Sequence, residues 1–398
     1  MPQSHGPLTD LLVLDVTRVL AGPFAGMLLA DLGAQVIKVE LPGRGDDARE
    51  FGPFANGVSG YFASVNRGKR SITLNLKSSE GKAIFLRLAE KADVLIENYR
   101  PGVMERLGLD YESLRPTNPR LIYAAVSGFG QSGPYSHRPA YDAVIQGMSG
   151  LMSITGDEDG LPARVGVSIG DLSAAAFAVI GVLAALHQRD RTGTGQMVDV
   201  AMLDSLIALL ENAISRYSIT GEVPGRLGTR HPSITPFQAF DTADGQVVVA
   251  IGNDQLFSSF CRLVGEEQLA TDPRFCSNSL RTGNHADLQE EMGAIIRRRP
   301  TAWWLEHLER EGIPSGPINT VADMAHDPQV NAREMIQEVM DPVAGLMHMA
   351  GIPIKLSDTP GAVVGPAPAL GQHTEEVLGE LLGLSAEKVA GLRERGVV

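Results

Sequence analysis

Apolar residues fall along this chain in two rhythms. Residues 11–16 and 35–40 are short runs of Leu, Val and Ile of the kind that forms buried strands, and 26–33 between them carries a helical pattern. A strand, helix, strand unit of this sort builds parallel sheets. Residues 71–76, 92–97 and 121–126 predict three more strands, with a helix over about 80–91 between the first two. The fold class expected for residues 1–200 is therefore α/β, doubly wound and Rossmann-like. From about Gly221 the texture changes to Pro and Gly turns. Two alternating runs, 235–241 and 244–251, predict a hairpin, and helices follow near 254–264, 284–298 and 301–311. This reads as a smaller α+β domain over 225–320, with linkers at about 201–224 and 321–329. A tail over 330–398, with a strand-like run near 352–356 and helices at 375–382 and 386–395, is expected to return to the first domain.

The stretch that draws the eye chemically is VGVSIGDLS, starting at Val165. A short apolar run ends there in Gly170 and Asp171 and turns at once into a long apolar segment, 172–188, read as a buried helix with Asp171 as its N-cap. A carboxylate at that place accepts first-turn amides and lies at the positive end of the helix dipole, and Gly170 lets a ligand approach closely. A structural cap and a reactive carboxylate both fit these letters.

Composition narrows the field. A net charge of −13 over 398 residues argues against nucleic acid or an anionic membrane as the general partner. Cys261 and Cys276 are too few for a disulfide framework or a zinc site, so a reduced, cytoplasmic setting is expected. The first ten residues lack the pattern of a secretory signal. The apolar run after Asp171 approaches the length of a membrane span, yet its richness in Ala reads as a core helix. Histidines show no metal spacing, and no P-loop or nucleophile elbow is present. Gly128-Phe-Gly-Gln-Ser-Gly133 matches a dinucleotide fingerprint, but Pro134 to Pro139 prolong the loop where a helix should open. Cations are dense between Arg67 and Arg106. Lys82, Arg87 and Lys91 read as a solvated helix face, whereas Arg70, Lys77, Arg100 and Arg106 are candidate phosphate ligands.

Together these residues resemble, over the whole length of the chain, the class III coenzyme A transferases, the group with formyl-CoA transferase and carnitine CoA-transferase and with alpha-methylacyl-CoA racemase as a relative. The matching landmarks are VLDVTRVLAGP from Val13, DLGAQVIKVE from Asp31, NRGKRS from Asn66, ADVLIENYRPG from Ala92, GVSIGD from Gly166, GTGQ from Gly193 and GIPSGP from Gly312. The resemblance implies that Asp171 is the nucleophile. It implies coenzyme A contacts at Val19, Leu20, Ala21, Lys38, Leu41, Leu74, Asn75, Leu76, Lys77, Asn98, Tyr99, Arg100, Arg106, Tyr141 and Asp142, and an acyl or oxyanion site at Gly170, Gly252 and Asn253. It further implies an interlocked homodimer, with a coenzyme A thioester and a carboxylic acid as substrates, and no metal or tightly bound cofactor.

Two departures bear on the substrate. Some members carry Gln where this chain has Leu20 and Arg where it has Leu41, and a glycine run of formyl-CoA transferase is replaced by Ala250-Ile-Gly-Asn-Asp254. The stretch HPSITPFQAF from His231 looks more like members that move coenzyme A between dicarboxylic acids such as succinate and glutarate. Two other functions fit the resemblance: an isomerase, in which Tyr141 stands where the racemase has its base histidine, and a catalytically silent coenzyme A-binding protein.

Overall fold

The computed structural model describes residues 6–398, which divide into two compact units. The first comprises the chain up to Leu151, Arg164–Ile219 and Pro328–Val398; the second comprises Met152–Ala163 and Thr220–Asp327. The short excursion Met152–Ala163 lies in a stretch that the sequence reading assigned to the first domain.

The first unit is built on six parallel strands: β1 (Leu12–Asp15), β2 (Gln35–Glu40), β3 (Arg70–Thr73), β4 (Val94–Glu97), β5 (Ile122–Ser127) and β6 (Met197–Ala201). Their spatial order is β3-β2-β1-β4-β5-β6, the doubly wound arrangement, in which the strand order reverses between β1 and β4. Strands covered on both faces read as continuous apolar runs, and alternate residues divide between two cores. Leu14, Ile37, Ile72 and Leu95 pack on one side with Phe85 and Leu88, while Val13, Val36, Val94 and Ile122 pack on the other. The second face is covered by α1 (Ala21–Asp31) and by the long helix described below, through Ala25, Leu29, Ala174, Ala178 and Val182. The same unit also contains α2 (Gly60–Asn66), α3 (Ser79–Ala89) and α4 (Asp142–Met148).

The long helix, α5, runs Ile169–Thr192 and so begins three residues before the expected start at 172, with Ser168 in the N-cap place. It is also only half buried. An alanine-rich stripe faces the sheet, but Ile180 is 59% exposed and Leu183 is exposed as well. Strand β6 was not anticipated, because at the sheet's edge it is partly exposed and carries a polar Asp199. The strand expected at 352–356 is absent. Pro353 cannot donate to a ladder, and the hairpin forms instead from Ile336–Asp341 and Gly345–Ala350.

The tail closes the sheet at its other edge. Ser71 N–H donates to His373 Nδ1 and Thr73 N–H to Thr374 Oγ1, each at 3.1 Å, so outward amides of the edge strand find partners. Val377, Leu378 and Val389 from the helices Thr374–Leu382 and Ala386–Glu394 join the core beside β3.

In the second unit β7 (Phe237–Asp241), β8 (Gln246–Ala250) and β9 (Ser315–Pro317) form an antiparallel sheet in the order β9-β8-β7. Helices Asp254–Val264, His285–Ile296 and Thr301–Arg310 supply Phe257, Phe260, Met292 and Trp304 to its core with Val247 and Val249.

Candidate active site

Open α/β sheets bind ligands outside the carboxyl ends of their strands, where the strand order reverses. Here that point is flanked by the loops leaving β1 and β4. A cavity of about 560 Å³ opens there, lined by Leu41, Leu74, Asn75, Leu76, Lys77, Tyr99 and Arg106 among others. A second cavity of about 180 Å³ is lined by Val19, Leu20, Ala21, Asn98, Tyr99, Arg100, Tyr141 and Asp171 among others. Arg18, Asp47 and Tyr99 belong to both walls, so the two cavities adjoin. Arg18 and Arg44 both pair with Asp47, at 3.1 and 2.8 Å. Among the described residues Lys77, Arg100 and Arg106 have no ion-pair partner, which leaves their charges facing the cavities as phosphate-binding groups would.

The β1 loop is pinned residue by residue. Asp15 Oδ1 accepts the Thr17 amide at 2.9 Å; Asn98 accepts from Arg18 N–H at 2.9 Å and donates to Arg18 O at 2.7 Å; Asp46 Oδ1 accepts the Val19 amide at 2.9 Å. Val19 sits at φ 69°, a conformation that strains a β-branched residue and that persists where the surroundings hold it. The β4 loop is supported in turn by Glu97, whose Oε2 accepts the Tyr99 amide at 2.7 Å. Burial pushes the Glu97 carboxyl up to about 8.

Asp171 is not the helix cap. It occupies the third position of α5, and the first-turn amide of Gly170 donates to Asp142 Oδ1 at 2.9 Å. Asp142 arrives from α4, 28 residues upstream, and its Oδ2 accepts from Gln146 at 2.7 Å. A side chain at Gly170 would press on that carboxylate, its Cβ lying 3.1 Å from Asp142 Oδ1. Relieved of capping, the Asp171 carboxylate lies in the wall of the smaller cavity, where the Ala21 amide hydrogen bonds it. Burial first, and the Asp142 charge second, raise its pKa to about 7, while the Ala21 hydrogen bond works the other way. The group is thus a desolvated carboxylate that ionises near neutrality.

Several expected contacts fall elsewhere. Lys38 lines neither cavity: it is fully buried, 2.9 Å from Asp46 Oδ2, with Thr17 O as a further acceptor. A lysine in the middle of a strand buried on both faces needs an internal partner. Asp142 is behind the wall rather than in it, and Tyr141 is 77% exposed at its rim. Arg70 pairs with Glu376 and Glu380 at 2.9 and 2.8 Å and is not a cavity cation. The Gly170 amide is engaged by Asp142, which removes it as an oxyanion donor. Gly252 and Asn253 lie in the second unit, where Asn253 Oδ1 caps the helix Asp254–Val264 by accepting the Leu256 amide at 2.9 Å.

Other residues went unnoticed in the sequence. Arg138 lines the smaller cavity with its guanidinium 3.8 Å over the Tyr135 ring, and Tyr61 on α2 has its phenol pKa raised by burial and then by the charges of Asp171, Asp46 and Asp142. The glycine fingerprint does not open a helix; its first glycine, Gly128, packs so tightly on Ala140 that a Cβ would come within 2.2 Å of the alanine methyl. No histidine lines the smaller cavity, and among the described residues no cluster of His, Cys, Asp and Glu has the makings of a metal site.

A parallel sheet in this order, a cavity at its switch point and a carboxylate at the start of the long helix mark a doubly wound α/β protein with a ligand site at that point. The profile of CoA-transferase family III matches residues 8–374. An acetyl-CoA:oxalate CoA-transferase of Acetobacter aceti is 48% identical over 88% of this chain and 90% of its own, and a succinyl-CoA:glutarate CoA-transferase of Mus musculus is 43% identical over 99% and 91%. The crystal structure of a CAIB/BAIF family protein from Brucella suis, 41% identical, superposes with a TM-score of 0.84 over 94% of this chain and 99% of the other. The chain belongs to CoA-transferase family III and is a CoA-transferase.

Proposed function

We propose that the protein moves coenzyme A from an acyl-CoA of the succinyl-CoA kind to a dicarboxylic acid, with Asp171 as covalent nucleophile. The observation that carries this reading is the half-buried Asp171 carboxylate in a cavity that adjoins a larger one bordered by Lys77 and Arg106. Asp171 attacks the thioester carbonyl of the donor and expels the coenzyme A thiolate, leaving a mixed anhydride. The thiolate then attacks the aspartyl carbonyl, which releases the donor acid and forms an aspartyl-CoA thioester. The acceptor carboxylate attacks that thioester, and the thiolate, expelled once more, attacks the acceptor's carbonyl of the new anhydride and regenerates Asp171. Holding the thiolate through these steps is the work of the coenzyme A site, and keeping water from the anhydride is that of the cavity walls.

The choice of a dicarboxylate draws support from two sides. Oxalate and glutarate, the acids in the names of the two relatives, are both dicarboxylates. Arg100 and Arg138 stand in the same wall as Asp171, so one carboxylate can react while a cation holds the other. The test is a screen of succinyl-CoA and acetyl-CoA against mono- and dicarboxylic acids, read as new acyl-CoA by chromatography. Transfer to dicarboxylates is expected; a preference for monocarboxylates overturns the acceptor class.

This reading includes an interlocked homodimer working in the cytoplasm, as the resemblance implies. Ile180 and Leu183 on α5, with Ile207, Leu209, Ile214 and Ile219 on the two helices after β6, are large apolar side chains exposed in the single chain. A second copy would remove such side chains from water.

A further inference from the structure

Beneath the β1 loop lies a buried ion pair that the reaction itself does not use. Lys38 and Asp46 meet at 2.9 Å, their side chains no more than 1% exposed. Asp46 Oδ1 accepts two amides, Val19 and Ala48, each at 2.9 Å, and the Asp46 amide donates to Glu40 Oε2 at 3.0 Å. Val19 is the residue held at φ 69°. Two residues on, Ala21 stands with Asp171 in the wall of the smaller cavity, its amide toward the carboxylate. A valine left to itself returns to negative φ, which would swing the next peptide groups away from where they now point.

We propose that Asp46 is a positioning residue for Asp171: its Oδ1 holds Val19 in the left-handed conformation and thereby keeps the Ala21 amide on the nucleophile. The proposal rests on the reading of Asp171 as nucleophile. An amide donated to a carboxylate favours its ionised form, so losing that bond moves the ionisation of Asp171 to higher pH. The other groups facing Asp171 are Asp142 from α4 and Tyr61 from α2, with Arg18, Asp47, Tyr99, Arg100, Arg138 and Tyr141 around the cavity. None of these accepts the Val19 amide. A purely structural Asp46, serving only as cap of the short turn Asp47–Glu50, would leave the pH at which Asp171 ionises unchanged.

Removing Asp46 alone leaves the buried Lys38 without its paired carboxylate, with only Thr17 O and the charges of Asp15 and Glu40 near it, so the test compares two double variants that both lack the ion pair. Lys38→Met/Asp46→Asn keeps an oxygen for the Val19 amide, and Lys38→Met/Asp46→Ala does not. The pH profile of kcat is measured for each with saturating succinyl-CoA and a dicarboxylate. The asparagine double is expected to keep the acidic limb of the wild type. In the alanine double the limb rises by about one pH unit, a loss of about fivefold in kcat at pH 7. Asp46→Glu, which keeps the charge but displaces the acceptor by a methylene, carries the same expectation where the alanine double does not fold. Two folded doubles sharing one limb, or a glutamate variant with the wild-type limb, overturn the proposal. Trapping wild-type enzyme with hydroxylamine separates the two failures. No label at Asp171 defeats the nucleophile assignment, whereas a label with unshifted limbs defeats only the role of Asp46.

Discussion

Replacing Asp142 by asparagine removes one charge from beside Asp171 while keeping an oxygen for the Gly170 amide. Burial and then Asp142 raise the Asp171 carboxyl from an ordinary 3.8 to about 7. The difference is about 3 units, or about 4 kcal/mol against ionisation. Asp171 is partly open to solvent, which trims that figure, and the charge of Asp142 supplies the lesser part of it, on the order of 1 kcal/mol. The ionised carboxylate is the nucleophile, so activity is present above its pKa and lost as pH falls through it. Asp142→Asn therefore shifts the acidic limb of kcat downward by about one unit. At pH 6 the ionised fraction rises from about one tenth to about one half, giving about a fivefold gain, with little change at about pH 8. The assay is kcat with saturating donor and acceptor from about pH 5 to 9, with Asp142→Ala beside it. The alanine variant, which also strands the Gly170 amide, is expected to lose activity across the range. A limb that stays in place or moves upward in the asparagine variant refutes the reasoning.

The same raised pKa makes a stability prediction. Between about pH 4 and 7 the folded chain keeps a proton on Asp171 that the unfolded chain has lost, so stability falls as pH rises through that window. Asp171→Asn should gain on the order of 1–2 kcal/mol in urea unfolding at pH 8 and nothing at pH 3; equal stability at pH 8 speaks against it. Arg106→Ala should raise KM for the acyl-CoA by about tenfold with kcat nearly unchanged, since a phosphate contact holds ground state and transition state alike. A fall in kcat at constant KM removes Arg106 from the coenzyme A site. In light scattering the protein should remain at twice the chain mass through a dilution series, because an interlocked dimer buries a large obligate interface; a stable folded monomer contradicts the dimer.

How much of this was legible in the sequence follows from what each residue touches. Strands β1, β4 and β5 announce themselves because both faces are buried and their letters are mostly apolar, whereas β2 and β3 show only through Val36, Ile37, Val39 and Ile72 set among polar letters. Strand β6 is half exposed at an edge and carries no such signal. Asp171 stands out in the sequence, but its setting does not. Gly-Asp before an apolar run looks like a cap, and only a contact reaching 28 residues back gives the Gly170 amide to Asp142 instead. Lys38 and Arg70 illustrate a general ambiguity: near a strand end, a cation paired inside the protein and one facing a ligand have the same letters. For Lys38 a usable signal existed, since it interrupts the strand QVIKVE, where a charge must find an internal partner. Asp46, Tyr61 and Arg138 come from separate loops and helices with no shared motif, and the fold alone brings them to one place.

The covalent role of Asp171 is the claim on which the rest depends, and hydroxylamine tests it most directly. Enzyme incubated with succinyl-CoA and then treated with hydroxylamine should carry a hydroxamate on the peptide that contains Asp171, visible by mass spectrometry. The label should be absent from Asp171→Ala, which should neither transfer coenzyme A nor lose its fold. A label on another residue, an active enzyme that takes no label, or exchange of the α-proton of 2-methylacyl-CoA with deuterated water that outpaces transfer to every acid tried would contradict the account.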